Sequence, residues 1–163
     1  MEIKDEKKQR RDKGMELYTI GYEGLSQEHF RKWLCYYNIT VVADVRRLPS
    51  SRKRGFSKSN LTEFLSTRNI NYISFQTLGT SKEMRAELKR TGDYGTFFEK
   101  YEGELPKHYE EIDNILSLIN SGEKVVLLCF EKSPEFCHRK ILAEAIRQRE
   151  GNGLEVKHLN QLV

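Results

Sequence analysis

Two short runs of the chain, ITVVADV at 39–45 and KVVLLCF at 124–130, are apolar on consecutive positions rather than on alternate ones. A strand with one wet face alternates, whereas a strand that is apolar throughout is covered on both faces, as in parallel sheets flanked by helices. That requirement restricts the fold more than any other feature. LYTIGY at 17–22, INYISFQTLG at 70–79 and LEVKHL at 154–159 supply three further strands. Between strands the apolar spacing turns helical. Phe30, Trp33, Leu34 and Tyr37 form a stripe behind a capping Ser26, and Leu61, Phe64 and Leu65 form another in 57–69. The stretch 80–122 reads as helix, broken by TGDYG at 91–95 and by Pro106, which suits the first turn of a helix running through His108 and Ile112 to Ile119. A last helix is expected to open at Ser133-Pro134 and run to Gln148. This alternation predicts a three-layer α/β domain: a mainly parallel five-stranded sheet, helices on both faces, and a helical insertion between strands 3 and 4.

The length of 163 residues suits a single domain, expected over 15–163. Residues 1–14, MEIKDEKKQRRDKG, offer almost nothing to bury and are expected to form a charged, flexible tail. No apolar run approaches the ~20 residues that span a bilayer, so no membrane partner and a cytoplasmic location are expected. Three cysteines, Cys35, Cys129 and Cys137, make no disulfide framework. The net charge of +4 says little, but its placement says more. Residues 46–58, RRLPSSRKRGFSK, hold six basic side chains and no acid directly after a strand, a pattern suited to phosphate.

In such a sheet ligands sit beyond the carboxyl ends of the strands. There the sequence places Gly21-Tyr22-Glu23-Gly24, Asp44-Val45-Arg46-Arg47, Leu78-Gly79-Thr80 and Cys129-Phe130-Glu131. Alternation puts Cys129 and Glu131 on one face of their strand, and Asp44 and Arg46 on one face of theirs. Cys137, His138 and Arg139 fall in the opening turns of the last helix, where free N–H groups favour an anion and ease ionisation of a thiol. Glu131, Asp44, Glu23 and Tyr22 are therefore the candidates for acid/base work. Arg46, Arg47, Cys137, His138, Arg139 and Ser57 are the candidates for holding an anion. The chemistry requires these groups to meet in one hollow; otherwise the acids and arginines are a buried ion-pair network that holds the sheet. Cys129, Cys137 and His138 could offer three metal donors, but their spacing is neither a finger nor a ribbon, and no metal is expected. GYEG falls short of a dinucleotide fingerprint and no Walker sequence occurs, so no cofactor is expected.

TIGYEG, VVADVRRLPSSRKRGFSKSNL and LLCFEKSPEFCHRKILAEAI, in this order, resemble the bacterial and archaeal family known as domain of unknown function 488, over about 17–159. The resemblance implies a compact cytosolic α/β domain and no established reaction. Its motif positions fall on Gly21, Tyr22, Gly24, Asp44, Arg46, Pro49, Phe56, Ser57, Cys129, Glu131, Cys137, His138 and Arg139. Asp44-Val45-Arg46 and Cys129 also resemble rhodanese-like domains, but the six-residue anion loop of that family is missing, because the next arginine is Arg139. Sulfur transfer at Cys129 is therefore disfavoured. The expected function is a hydrolase or transferase acting on a phosphate-bearing small molecule or nucleic acid. The alternative is a non-catalytic nucleic-acid-binding module that uses 46–58, with Phe56 or Tyr22 stacked on a base. The oligomeric state is not written in the residues.

Overall fold

In the computed structural model, which describes residues 14–51 and 53–159, one sheet organises the chain. The expected tail, apart from Gly14, and Arg52 of the basic loop lie outside the described residues. The strands are β1 (Met15–Gly21), β2 (Val41–Asp44), β3 (Asn71–Ser74), β4 (Val125–Cys129) and β5 (Leu154–His158). They lie in the order β3-β2-β4-β1-β5, and every neighbouring pair is parallel. All residues of β2 and β4 are buried, as their unbroken apolar runs require.

Helices α1 (Gln27–Tyr36) and α2 (Lys58–Ser66) cover one face, where Phe30, Leu34, Leu61 and Leu65 pack on Ile20, Val42, Val126 and Leu128. The insertion between β3 and β4 forms α3 (Lys82–Thr91), α4 (Tyr94–Glu104) and α5 (Tyr109–Asn120). With α6 (His138–Glu150) it builds the opposite layer, in which Tyr101, Ile112, Ile115 and Leu142 meet Leu17, Ala43 and Leu127. Ser26 caps α1 by accepting from the His29 N–H, as expected. Gly92, at φ 68°, ends α3, and Asp93 opens α4 through the Thr96 N–H.

Three boundaries differ from expectation. The third strand stops at Ser74, and Gln76–Leu78 turn as a 3-10 helix that sends Leu78 into the core. Pro106 lies in a separate 3-10 turn, Leu105–His108, and His108 (φ −121°) leaves helical geometry before α5 starts at Tyr109. Pro134 likewise opens only a 3-10 turn, Pro134–Phe136, and α6 begins four residues later. Cys137 stands between the two in extended geometry (φ −134°, ψ 140°) and caps α6, its sulfur accepting from the Arg139 N–H.

The chain leaves β1 towards β2 on the α1 side and leaves β4 towards β5 on the α6 side, so the order of the sheet reverses between β1 and β4. That crevice is closed by backbone. Tyr22 N–H donates to the Cys129 carbonyl at 3.1 Å, and Glu23 N–H to the Phe130 carbonyl at 2.8 Å.

Candidate functional site

Beyond β4, on the α4–α6 side, two thiols, an imidazole and a carboxylate come together. Cys129 ends the strand on the same face as Val125 and Leu127, and its sulfur lies 3.3 Å from Glu131 Oε2. His138, the first residue of α6, turns Nε2 to the Val45 carbonyl at 2.9 Å. A carbonyl only accepts, so Nε2 carries the proton and Nδ1 faces the sulfurs, 3.7 Å from Cys129 and 3.8 Å from Cys137. Tyr101 sets its ring edge-on against the imidazole at 5.1 Å and donates its hydroxyl to the Leu78 carbonyl at 2.6 Å. Both thiols and the imidazole are buried; Glu131 alone is partly exposed.

The charges in this cluster are interdependent. Burial pushes the Cys137 thiol up, but a hydrogen bond from Cys129 and the charges of His138 and Arg139 outweigh it and hold Cys137 well below the usual thiol range. The bond to Cys137 and burial drive Cys129 well above that range. Burial lowers His138, yet the negative charge of Cys137 more than offsets it and the imidazole stays basic. Burial, then Cys137, raises Glu131.

Arg139 stands behind the cluster and is entirely buried. Its Nε donates to Thr19 Oγ1 at 3.2 Å, Nη1 to the Glu131 carbonyl and Nη2 to the Lys132 carbonyl at 3.0 Å. The guanidinium fork fixes the loop after β4. Gly21 makes that approach possible, because a Cβ there would sit 1.7 Å from the Glu131 carbonyl oxygen.

Asp44 and Arg46 lie on the opposite face of the sheet, among the residues under α1 and α2. They form a buried two-point pair, Nε to Oδ1 at 2.8 Å and Nη2 to Oδ2 at 2.7 Å. Tyr72 also donates to Asp44, while Arg46 Nη1 reaches the Phe56 carbonyl at 2.7 Å and the Tyr22 hydroxyl at 3.3 Å. Tyr22 stacks on Phe56 at 4.8 Å. This network pins the basic loop to the sheet. The expected common hollow is thus divided: Cys129, Glu131, Cys137, His138 and Arg139 meet on one face, and Tyr22, Asp44 and Arg46 on the other. Glu23 is exposed and accepts from the Lys132 N–H at 3.0 Å, and Ser57 caps α2 through the Asn60 N–H.

Arg47 has a different position. It is exposed, makes no hydrogen bond to another described residue, and borders a groove of about 640 Å³ beyond β2 and β3. Lys100, Tyr101, Lys107 and His108 line the same groove, with Ser81 at the capped N-terminus of α3. Two of its lysines have acid partners, Lys100 with Glu87 at 2.7 Å and Lys107 with Glu104 at 3.0 Å. Gly79 lets Arg47 lie close, since a Cβ there would fall 2.3 Å from the Arg47 nitrogen. None of Lys100, Tyr101, Lys107 or His108 was marked by the sequence. They sit on the insertion, whose helical spacing shows a buried stripe but not which strand end it overhangs.

No helix among the described residues is long and apolar enough to cross a membrane. No curated protein and no solved structure matches the chain significantly. A family model described as "Domain of unknown function DUF488" matches residues 26–146, from the start of α1 into α6. That match covers well over half of the sequence and includes both the buried Asp44–Arg46 pair and the cysteine–histidine cluster, so the chain belongs to the DUF488 family.

Proposed function

We propose that this protein binds the phosphate groups of a nucleotide or nucleic acid in the groove under Arg47. The observation that carries the proposal is the state of the arginines. Arg46 and Arg139 are buried, and their donors are engaged within the protein, whereas the exposed Arg47 at the carboxyl edge of the sheet makes no hydrogen bond to another described residue. The first turn of α3 adds the positive end of a helix dipole on the same wall. After Arg47 the basic loop continues with Lys53 and Arg54, and large apolar side chains are exposed at Leu48 and Phe130. Leu48 is 63% exposed, and Phe130, which is 44% exposed, packs edge-on against Tyr22. Bases stack on such rings while cations follow the backbone.

The test uses inorganic pyrophosphate and a fluorescein-labelled single-stranded oligonucleotide as probes. Arg47→Ala should weaken pyrophosphate binding about tenfold or more, the size of one charge-assisted hydrogen bond. Oligonucleotide affinity should fall steeply with salt. Equal binding by wild type and Arg47→Ala would refute the assignment.

A second reading, catalysis on a phosphodiester, is favoured by one observation: Glu131, beside the cysteine–histidine cluster, is a partly exposed carboxylate with no salt bridge to another described residue. Glu131→Gln should then remove turnover of a phosphodiester substrate while pyrophosphate binding persists. A fully active variant would exclude this role.

A further inference from the structure

We propose that Cys129, Cys137 and His138 form a binding site for a divalent transition metal, with zinc as the ion that the donors fit best. The site is independent of the groove and stands whether or not phosphate binds there. Its basis is geometric. Tetrahedral zinc bonded to sulfur at about 2.3 Å and to nitrogen at about 2.0–2.1 Å sets its donor atoms about 3.5–3.8 Å apart. The sulfur-to-Nδ1 distances here are 3.7 Å and 3.8 Å, and the three donor atoms all lie within 4.8 Å of one another. Two of the three edges therefore already match a coordination tetrahedron, and the sulfurs need only a small approach to complete the third. Two thiolates and an imidazole are the soft and borderline donors that zinc selects.

The surroundings are those of a ligating histidine. Nε2–H is held on the Val45 carbonyl at 2.9 Å, which fixes the tautomer and leaves the Nδ1 lone pair for the ion. Tyr101 packs on the ring, and the helix cap and Arg139 fix the chain on both sides of Cys137. Glu131 stands beside the cluster, its Oε2 3.3 Å from the Cys129 sulfur. The ion displaces the protons that the cluster holds, so affinity rises with pH. The spacing of Cys129, Cys137 and His138 argued against zinc only because it belongs to no small zinc module. Here the sheet and α6, rather than a short knuckle, bring the donors together.

The full chain, purified without a metal-affinity tag and reduced, is stripped with chelator and titrated with cobalt(II). The expected result is one ion per chain, with the sulfur-to-cobalt charge-transfer band and intense visible bands of tetrahedral cobalt, both displaced by zinc. Cys137→Ser and Cys129→Ser should lower affinity at least tenfold and weaken the charge-transfer band, while Cys35→Ser, at an exposed cysteine, leaves both unchanged. If the buried serine variants fail to fold, the wild-type titration decides alone. Absence of the charge-transfer band in reduced wild type, or a band lost in Cys35→Ser, would overturn the proposal.

Discussion

Asp44 and Arg46 show how a polar pair is kept beside the buried Val, Ala and Leu residues of β2 and β4. Each carboxylate oxygen receives a guanidinium N–H, and Tyr72 and the Phe56 carbonyl take up remaining valences. Removing one partner leaves an uncompensated buried charge. Asp44→Ala should therefore cost about 3–5 kcal/mol in urea denaturation; a loss below about 1 kcal/mol would mean that the pair is solvated. His158 carries a different prediction. Burial, then the charges of Arg139 and Lys140, hold its imidazole below the usual value while it bonds Thr19 at 2.6 Å. The unfolded chain takes up that proton more readily, so the stability His158 contributes is full above about pH 6.5 and is lost as pH falls through the lowered folded-state value. The melting temperature of wild type should drop more steeply below neutrality than that of His158→Gln, and parallel curves would contradict this. At this scale the residue types were legible but their roles were not. Asp44 and Arg46 sharing a face follows from alternation, but whether Arg46 turns inward to Phe56 or outward to a ligand depends on a loop ten residues away.

The junction of β4 and α6 is the element on which the cysteine cluster depends. Its loop is carried by Arg139 and packed directly over Gly21, with no room for a side chain between strand and loop. Gly21→Ala should cost at least the about 1–3 kcal/mol of an overpacked core and should displace Glu131, a change readable as an altered crystal structure of the 130–139 loop. An alanine variant of wild-type stability would show that the loop yields freely. The sequence made the strands legible because β-branched runs covered on both faces admit one kind of sheet. It made α1 legible because Ser26 caps it. It misplaced the start of α6, since Pro134 suits the first turn of a 3-10 and an α-helix alike. The outcome was set by Cys137, which takes extended geometry and uses its sulfur as the cap.

Across the whole molecule, the reversal of strand order between β1 and β4 brings the carboxyl ends together, but backbone hydrogen bonds fill that crevice. The open space lies to one side, where α4 and the turn after it overhang β2 and β3. Sequence periodicity identifies the insertion as helical and cannot say which edge it shelters, because that depends on packing between elements far apart in the chain. The polar residues at the strand ends therefore divide into an ion-pair network, a cysteine–histidine cluster and a cationic groove instead of one site. The proposed function rests on the groove under Arg47. A titration of the isotope-labelled protein with inorganic pyrophosphate, followed by backbone amide resonances, tests it directly. Saturable shifts centred on Arg47, Gly79, Ser81 and Lys107, and weakened in Arg47→Ala, are the predicted result; shifts that are absent, or that centre on the loop after β4 and ignore Arg47→Ala, would contradict it.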